Sequence, residues 1–163
     1  NDYHPDHRAV GQLVMDSGYM VTVPYFCPDV PHLVKNPVFL FSEDEFQKPN
    51  PFSADVVVAV DGVIEKKFAC VGALVSQFYE GGCNGGPELL PDPKDAAAAA
   101  KRKAGVRAHW DAWFSTTAKR FRAELVARYG KAAGAKVTYA EAFELCEYGR
   151  RPDAAELDAL FPR

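Results

Sequence analysis

The sequence lacks the features that mark several specialised classes of protein. Its 163 residues contain only four cysteines, and no two of them form a Cys-x-x-Cys pair. Such sparse cysteines do not make a disulfide scaffold, so a reducing compartment is expected and a cytoplasmic location is favoured. The net charge of −3 gives no excess of positive charge, which argues against a nucleic-acid partner. No apolar run approaches the roughly 20 residues that a membrane-spanning helix needs.

The composition is that of an ordinary globular protein. Apolar residues make up 48% of the chain and charged residues 25%. A chain of this length can form one domain with its own hydrophobic core, so we expect residues 1–163 to be a single domain. Cys70 and Cys146 fall in helical patterns and are expected to be buried.

Two apolar runs predict strands of an α/β fold. Residues 37–41 are apolar and end at the polar Ser42. Residues 55–60 read Asp-Val-Val-Val-Ala-Val, a continuous run typical of a strand covered on both faces in a parallel sheet. Asp61 would then cap a helix that reaches about Tyr79 and completes half of a βαβ unit. Its apolar side repeats at helical spacing and consists of Ile64, Phe68, Val71, Val75 and Phe78.

Capping residues and glycines predict the remaining helices. They are a helix from Asp6 to about Gly18, one opened by Asp92-Pro93, one from Val106 to Tyr129, one opened by the capping-box pattern of residues 138–141 and ending near Tyr148, and a short last one opened by Asp153 and Glu156. The buried side of the 106–129 helix is expected to consist of Trp110, Trp113, Phe114, Phe121, Leu125 and Tyr129.

The first residues carry the strongest chemical pattern. Two of the four histidines, His4 and His7, flank Asp6 at the start of the first predicted helix. Two imidazoles and a carboxylate this close can serve metal binding, acid–base catalysis or only a helix cap. Residues 19–37 follow as a proline-rich loop whose Tyr25, Phe26 and His32 could form a substrate wall.

The pattern His4-Pro5-Asp6-His7-Arg8-Ala9 closely resembles the second metal-site motif of the PIG-L/LmbE-like deacetylases. These are zinc-dependent enzymes that remove acetyl groups from N-acetylglucosaminyl compounds. Further landmarks resemble the family in the same order along the chain: the strand 56–60 with Asp61, then Lys67, Ala69, Ala73 and Ser76-Gln77, and finally Tyr139-Ala140-Glu141-Ala142-Phe143.

The resemblance implies a fold and a set of roles. The fold would be a Rossmann-like three-layer sandwich with added C-terminal helices. His7 would be a zinc ligand, and His4 would face the substrate carbonyl or the leaving amine. Apart from the resemblance, Asp6 is expected to cap the helix, and its carboxylate can also orient one of these histidines by accepting a hydrogen bond; the two roles are compatible. The substrate would be an acetylated amino sugar or a conjugate of one.

Two departures from the family pattern limit what this chain would do alone. The family's N-terminal His-Pro-Asp-Asp motif, which supplies the other two protein ligands and the general base, does not occur here. The chain would therefore be the C-terminal part of such an enzyme. We expect it to bind zinc poorly and to be inactive by itself, and to pair with the missing segment or with copies of itself. In addition, Leu74 stands where the family commonly has histidine.

Two other interpretations remain open. The chain could be a non-catalytic α/β module that acts through binding or assembly, with residues 4–7 serving only as a cap or a relic. A metal-dependent phosphohydrolase built on His4, Asp6 and His7 ranks lower, because no further clusters of histidine or aspartate accompany these residues.

Overall fold

The computed structural model describes residues 2–80 and 95–163. Of these residues 51% are helical, and a small three-stranded sheet accompanies the helices. Its elements in order are α1 (Pro5–Met20), β1 (Leu40–Ser42), β2 (Val56–Ala59), a 3-10 turn (Asp61–Val63), α2 (Ile64–Gly72), α3 (Val75–Phe78), α4 (Ala96–Phe114), α5 (Thr116–Arg120), α6 (Arg122–Tyr129), α7 (Lys131–Gly134), β3 (Ala140–Leu145) and α8 (Ala154–Leu160).

The sheet has the order β1-β3-β2 and is antiparallel where its pairing is seen. β1 pairs with β3 so that Phe41 lies opposite Glu144. At the two ends of β2, the N–H of Asp55 donates to the carbonyl of Phe143 and that of Val60 to Tyr139, each at 2.9 Å. These bonds also run in opposite directions along β2 and β3. The strands near residues 40 and 56 were predicted correctly, but the parallel arrangement was wrong.

β3 occupies residues that the sequence pattern assigned to a helix. Ala140 and Ala142 are buried, each 3% exposed, and Glu141 between them is only partly covered. This alternation is the period of a strand. Alanine fits a helix or a strand, so pairing on both sides of β3 decides its conformation. The capping-box prediction at residues 138–141 was therefore wrong.

Contacts divide the chain into two compact units, one formed by the residues up to Val58 with Glu141–Arg163, the other by Ala59–Ala140. In the first unit, α1 continues beyond its predicted end to Met20. Gly18 does not end this helix; it is buried, and a Cβ there would lie 3.1 Å from the carbonyl oxygen of Tyr148. Asp153 caps α8 by accepting from the N–H of Glu156 at 2.9 Å, as predicted.

The second unit has a core built on the predicted apolar stripe. Ile64, Phe68 and Phe78 are buried, and a ring of partly buried side chains packs around them: Val71, Tyr79, Val106, Trp110, Phe114 and Tyr139. Val75 is 46% exposed, contrary to the prediction. The helix is interrupted between Gly72 and Val75, which shifts the face on which later side chains lie.

The predicted helix from Val106 to Tyr129 is three helices. The chain breaks at Ser115 and again at Phe121, which has φ −104° and ψ 35°. Leu125 and Phe121 are buried as expected, whereas Trp113 is 57% exposed. The predicted helix start at Asp92-Pro93 lies outside the described residues, and Asp95 caps α4 through the N–H groups of Ala97 and Ala98.

Asp61 ties the end of β2 to the segment that enters β3. It was predicted to cap the following helix, but its carboxylate accepts from the backbone N–H of Thr138 at 2.9 Å and, more weakly, of Tyr139 at 3.4 Å. The hydroxyl of Tyr139 donates to Oδ1 of Asp111 at 2.6 Å. At the surface of the same unit, Arg107 donates to both carboxylate oxygens of Glu65 at 3.0 and 2.6 Å.

Replacing Gly134 by alanine should destabilise the protein, whereas the same change at Gly105 should not. A Cβ at Gly134 would lie 2.3 Å from the carbonyl oxygen of Leu125, whereas Gly105, inside α4, has open space around it. We expect Gly134→Ala to lower the free energy of unfolding by about 2 kcal/mol or more. Gly105→Ala should raise it by about 0.5–1 kcal/mol, because glycine weakens a helix interior. Urea denaturation measures both, and equal effects at the two sites would contradict the close approach at Gly134.

Removing the hydroxyl of Tyr139 should also destabilise the protein. Tyr139→Phe deletes a hydrogen bond to a carboxylate and should lower the free energy of unfolding by about 1.5–3 kcal/mol, while Tyr25→Phe, at an 87% exposed ring, should change it little. The bond to Asp111 raises the pKa of Tyr139 above its ordinary value. The stabilisation should therefore be complete below about pH 10 and be lost as the pH rises through the raised pKa. A difference between wild type and Tyr139→Phe that persisted far above this pH would contradict the assignment.

Candidate functional site

His4, not Asp6, caps the first helix. The Nδ1 atom of His4 accepts a hydrogen bond from the backbone N–H of Asp6 at 3.2 Å, and His4 has the extended backbone of an N-cap residue. Pro5 occupies the first helical position, which suits proline because no donor is needed there. The residue before the proline is then the cap, and Asp6 is already inside α1. The prediction that Asp6 caps this helix was wrong for this reason.

The carboxylate of Asp2, which the sequence pattern did not indicate, contacts both histidines. Oδ1 of Asp2 lies 2.9 Å from Nδ1 of His7 and accepts from the backbone N–H of His4, also at 2.9 Å. The guanidinium of Arg8 donates to the carbonyl oxygens of Asp2 and Tyr3 at 2.9 and 3.0 Å. The contact between residues 2 and 7 depends on the turn into α1. Helical spacing alone gives no signal for it.

The orienting role expected of Asp6 is filled by Asp2. The Asp6 carboxylate approaches Nδ1 of His4 only to 3.9 Å, which is beyond hydrogen-bond distance. Its side chain is 87% exposed. Asp6 thus places a negative charge beside His4 without bonding to it.

The two imidazole rings lie side by side and remain accessible. Their centroids are 4.9 Å apart, and the ring of Tyr3 stands edge-on to both, at 6.0 Å from His4 and 5.5 Å from His7. About half of each histidine side chain is exposed. A ligand could therefore reach either ring directly from solvent.

His7 suits a metal, but the ligand set is incomplete. A neutral imidazole whose other nitrogen is bonded to a carboxylate is the usual form of a metal-binding histidine. Among residues 2–80 and 95–163, however, no three His, Cys, Asp or Glu side chains are grouped so that they could hold a metal ion. A catalytic zinc needs about three protein ligands. The described residues therefore fit one ligand position and not a whole site.

The loop after α1 lines a small apolar pocket that is open to solvent. It has a volume of about 340 Å³ and is lined by Met20, Phe26 and His32 among others. A hydrogen bond of 2.8 Å from the N–H of Leu33 to the carbonyl of Val21 closes the loop. The pocket begins at Ser17, ten residues after His7, which is about 15 Å along a helix. Tyr25 does not line it.

The structure agrees only in part with the predictions made for the cysteines and for the remaining family landmarks. Cys146 is buried as expected, but Cys70 is exposed. Leu74, where the family commonly has histidine, is 59% exposed between α2 and α3. Lys67 lies over the ring of Phe114 at 4.5 Å, a packing contact in the core of the second unit.

No family model, curated protein or solved structure matches the chain. Within the described ranges, no helix is long and apolar enough to cross a membrane. The interpretation of this site therefore depends on the residues themselves: two accessible imidazoles at the start of α1, one bonded to a carboxylate and the other to a backbone amide.

Proposed function

We propose that this chain is part of a zinc-dependent hydrolase of the PIG-L/LmbE type that removes the acetyl group from an N-acetylglucosamine-type compound. His7 is one of the metal ligands. His4 and Asp6 form the part of the catalytic centre that lies on this chain. The proposal includes the fold: the three strands described here belong to a larger, Rossmann-like sandwich of which this chain is the C-terminal part.

The contact between Asp2 and His7 is the observation that carries this proposal. The 2.9 Å distance fixes the ring of His7 at the start of a helix. A metal-binding histidine almost always has such an outer partner, which orients the ring and strengthens its basicity. A histidine without a role on the helix surface would not require such a partner.

The roles of the neighbouring residues follow from the hydrolysis of an acetamide. The reaction adds water across the C–N bond and releases acetate and an amine. His4 lies beside His7 and can donate a hydrogen bond to the acetyl oxygen or to the leaving nitrogen. Asp6 adds a negative charge near His4. Bound zinc would lower the pKa of its water toward about 7 and polarise the acetyl oxygen.

The remaining ligands and the general base would come from outside this chain. One imidazole, or His4 together with His7, provides fewer ligands than any stable zinc site. The proposal therefore requires either a further segment carrying a His-Pro-Asp-Asp motif or a second protein chain that completes the site.

Substitution of His7 should weaken metal binding strongly in the natural gene product that contains this chain. We expect His7→Gln to weaken zinc affinity by at least about 100-fold, the upper end of the loss caused by removing an outer-shell partner, and to stop acetate release from N-acetylglucosaminyl substrates. His109→Gln, on the exposed side of α4, is the matched control and should change neither. Zinc content and acetate release measure the two effects.

Two results would count against the proposal. One is a His7→Gln protein that keeps its zinc and its activity. The other is tight, stoichiometric zinc binding by the isolated 163-residue chain in isothermal titration calorimetry, because the described residues provide too few ligands for it.

A specific observation favours the second candidate function, an assembly module. α1 buries only Gly18, and its apolar side chains Val10, Leu13 and Val14 are 59%, 69% and 47% exposed. Positions 10, 13 and 14 lie on one face of a helix, and an exposed apolar face of this kind is typical of a surface that another protein covers.

The isolated chain should therefore self-associate through α1. We expect Leu13→Glu to shift the chain toward monomer in sedimentation velocity, because it places a charge in the apolar surface. Leu74→Glu changes a similarly exposed leucine in the second unit and should leave the distribution unchanged. An unmodified chain that stays monomeric at about 100 µM, a concentration at which even a weak 10 µM dimer would form, contradicts the prediction.

A further inference from the structure

The hydrogen bond of His7 is compatible with only one neutral form of its ring. Nδ1 lies 2.9 Å from Oδ1 of Asp2. An ionised carboxylate accepts hydrogen bonds and cannot donate one. Nδ1 of His7 therefore carries the ring proton, and Nε2 has the free electron pair.

The surroundings of Asp2 treat its carboxylate as an acceptor. The backbone N–H of His4 donates to the same oxygen at 2.9 Å. An aspartate is ionised at neutral pH, far above its ordinary pKa of about 3.9, and in that form its oxygens only accept.

The hydrogen bond of His4 requires the opposite form. Its Nδ1 accepts from the backbone N–H of Asp6 at 3.2 Å. A backbone N–H can only donate, so Nδ1 of His4 is bare. In the neutral ring the proton is then on Nε2.

We infer that the two neighbouring imidazoles are held in opposite neutral tautomers, His7 protonated on Nδ1 and His4 on Nε2, and that Asp2 is the positioning residue that selects the form of His7. Both assignments follow from contacts within residues 2–7. They need no metal and no other part of the chain.

The opposite tautomers give the two histidines different roles, metal binding and hydrogen-bond donation. This consequence rests on the proposed function. The free electron pair on Nε2 of His7 is what a metal ion binds. The N–H at Nε2 of His4 is a donor, which suits an acetyl oxygen that gains negative charge. Two identical tautomers would give two ligands or two donors instead of one of each.

The tautomers can be read directly from the ring nitrogens. Long-range ¹H–¹⁵N correlation spectra of the ¹⁵N-labelled chain at about pH 8.5, two units above the ordinary histidine pKa of about 6.5, separate protonated from bare ring nitrogens. Single His→Gln variants assign the signals. We expect His7 to be protonated on Nδ1 and His4 on Nε2.

Asp2→Ala tests the positioning role. It removes the acceptor, so the predominance of the Nδ1-protonated form of His7 should be lost. Asp6→Ala is the matched control: it removes a carboxylate near His4 but keeps the backbone N–H that bonds to Nδ1. It should change neither tautomer. The amide signals of the first unit beyond residue 10 report that both variants remain folded.

These experiments test the tautomers of His4 and His7 independently of the proposed hydrolase function. A proton on Nε2 of His7 in the unmodified chain overturns it, as does an Asp2→Ala spectrum in which His7 is unchanged. If the expected tautomers are found but the natural gene product binds no zinc, the inference stands and the proposed function fails.

Discussion

Pairing along both edges of β3 is the constraint on which the rest of the fold depends. This strand lies between β1 and β2, and its buried positions are alanines, so its own side chains contribute little to choosing its conformation. Asp55 and Glu144 add side-chain bonds beside the ladder, to the backbone N–H groups of Leu145 and Ser53 at 2.7 and 3.0 Å. The hydrogen bonds of a strand form only when the neighbours are present, which makes this element the one most dependent on tertiary structure.

The sequence could predict those parts of the fold that have their own periodicity. The stripe of Ile64 and Phe68, the apolar run of β2 and the cap at Asp153 are visible without any partner, and the structure confirms them. The errors arise where a distant contact overrides a local pattern. Residues 138–141 have the form of a capping box but enter a strand, and Gly18 has the form of a helix end but lies against Tyr148.

The candidate site shows the same division at a smaller scale. The spacing of His4 and His7 could be identified from the sequence, because helix periodicity places residues three apart on one face. The partner of His7 could not, since Asp2 precedes the helix and reaches Nδ1 only through the turn at His4. Asp6, the carboxylate inside the motif, was the nearer choice by sequence. From the first turn of α1, however, it approaches Nδ1 of His4 only to 3.9 Å, which is too far for a hydrogen bond.

Short-range hydrogen bonds link the segment Asp2–Arg8, and among the described residues none of these bonds spans more than six positions. Such contacts require almost no loop closure, so they carry little of the entropy cost that long-range pairing does. The seven residues from Asp2 to Arg8 therefore determine the geometry of the two histidines, which forms together with the first turn of α1. The same seven residues, placed at the start of a helix in another protein, should therefore reproduce the arrangement of the two imidazole rings.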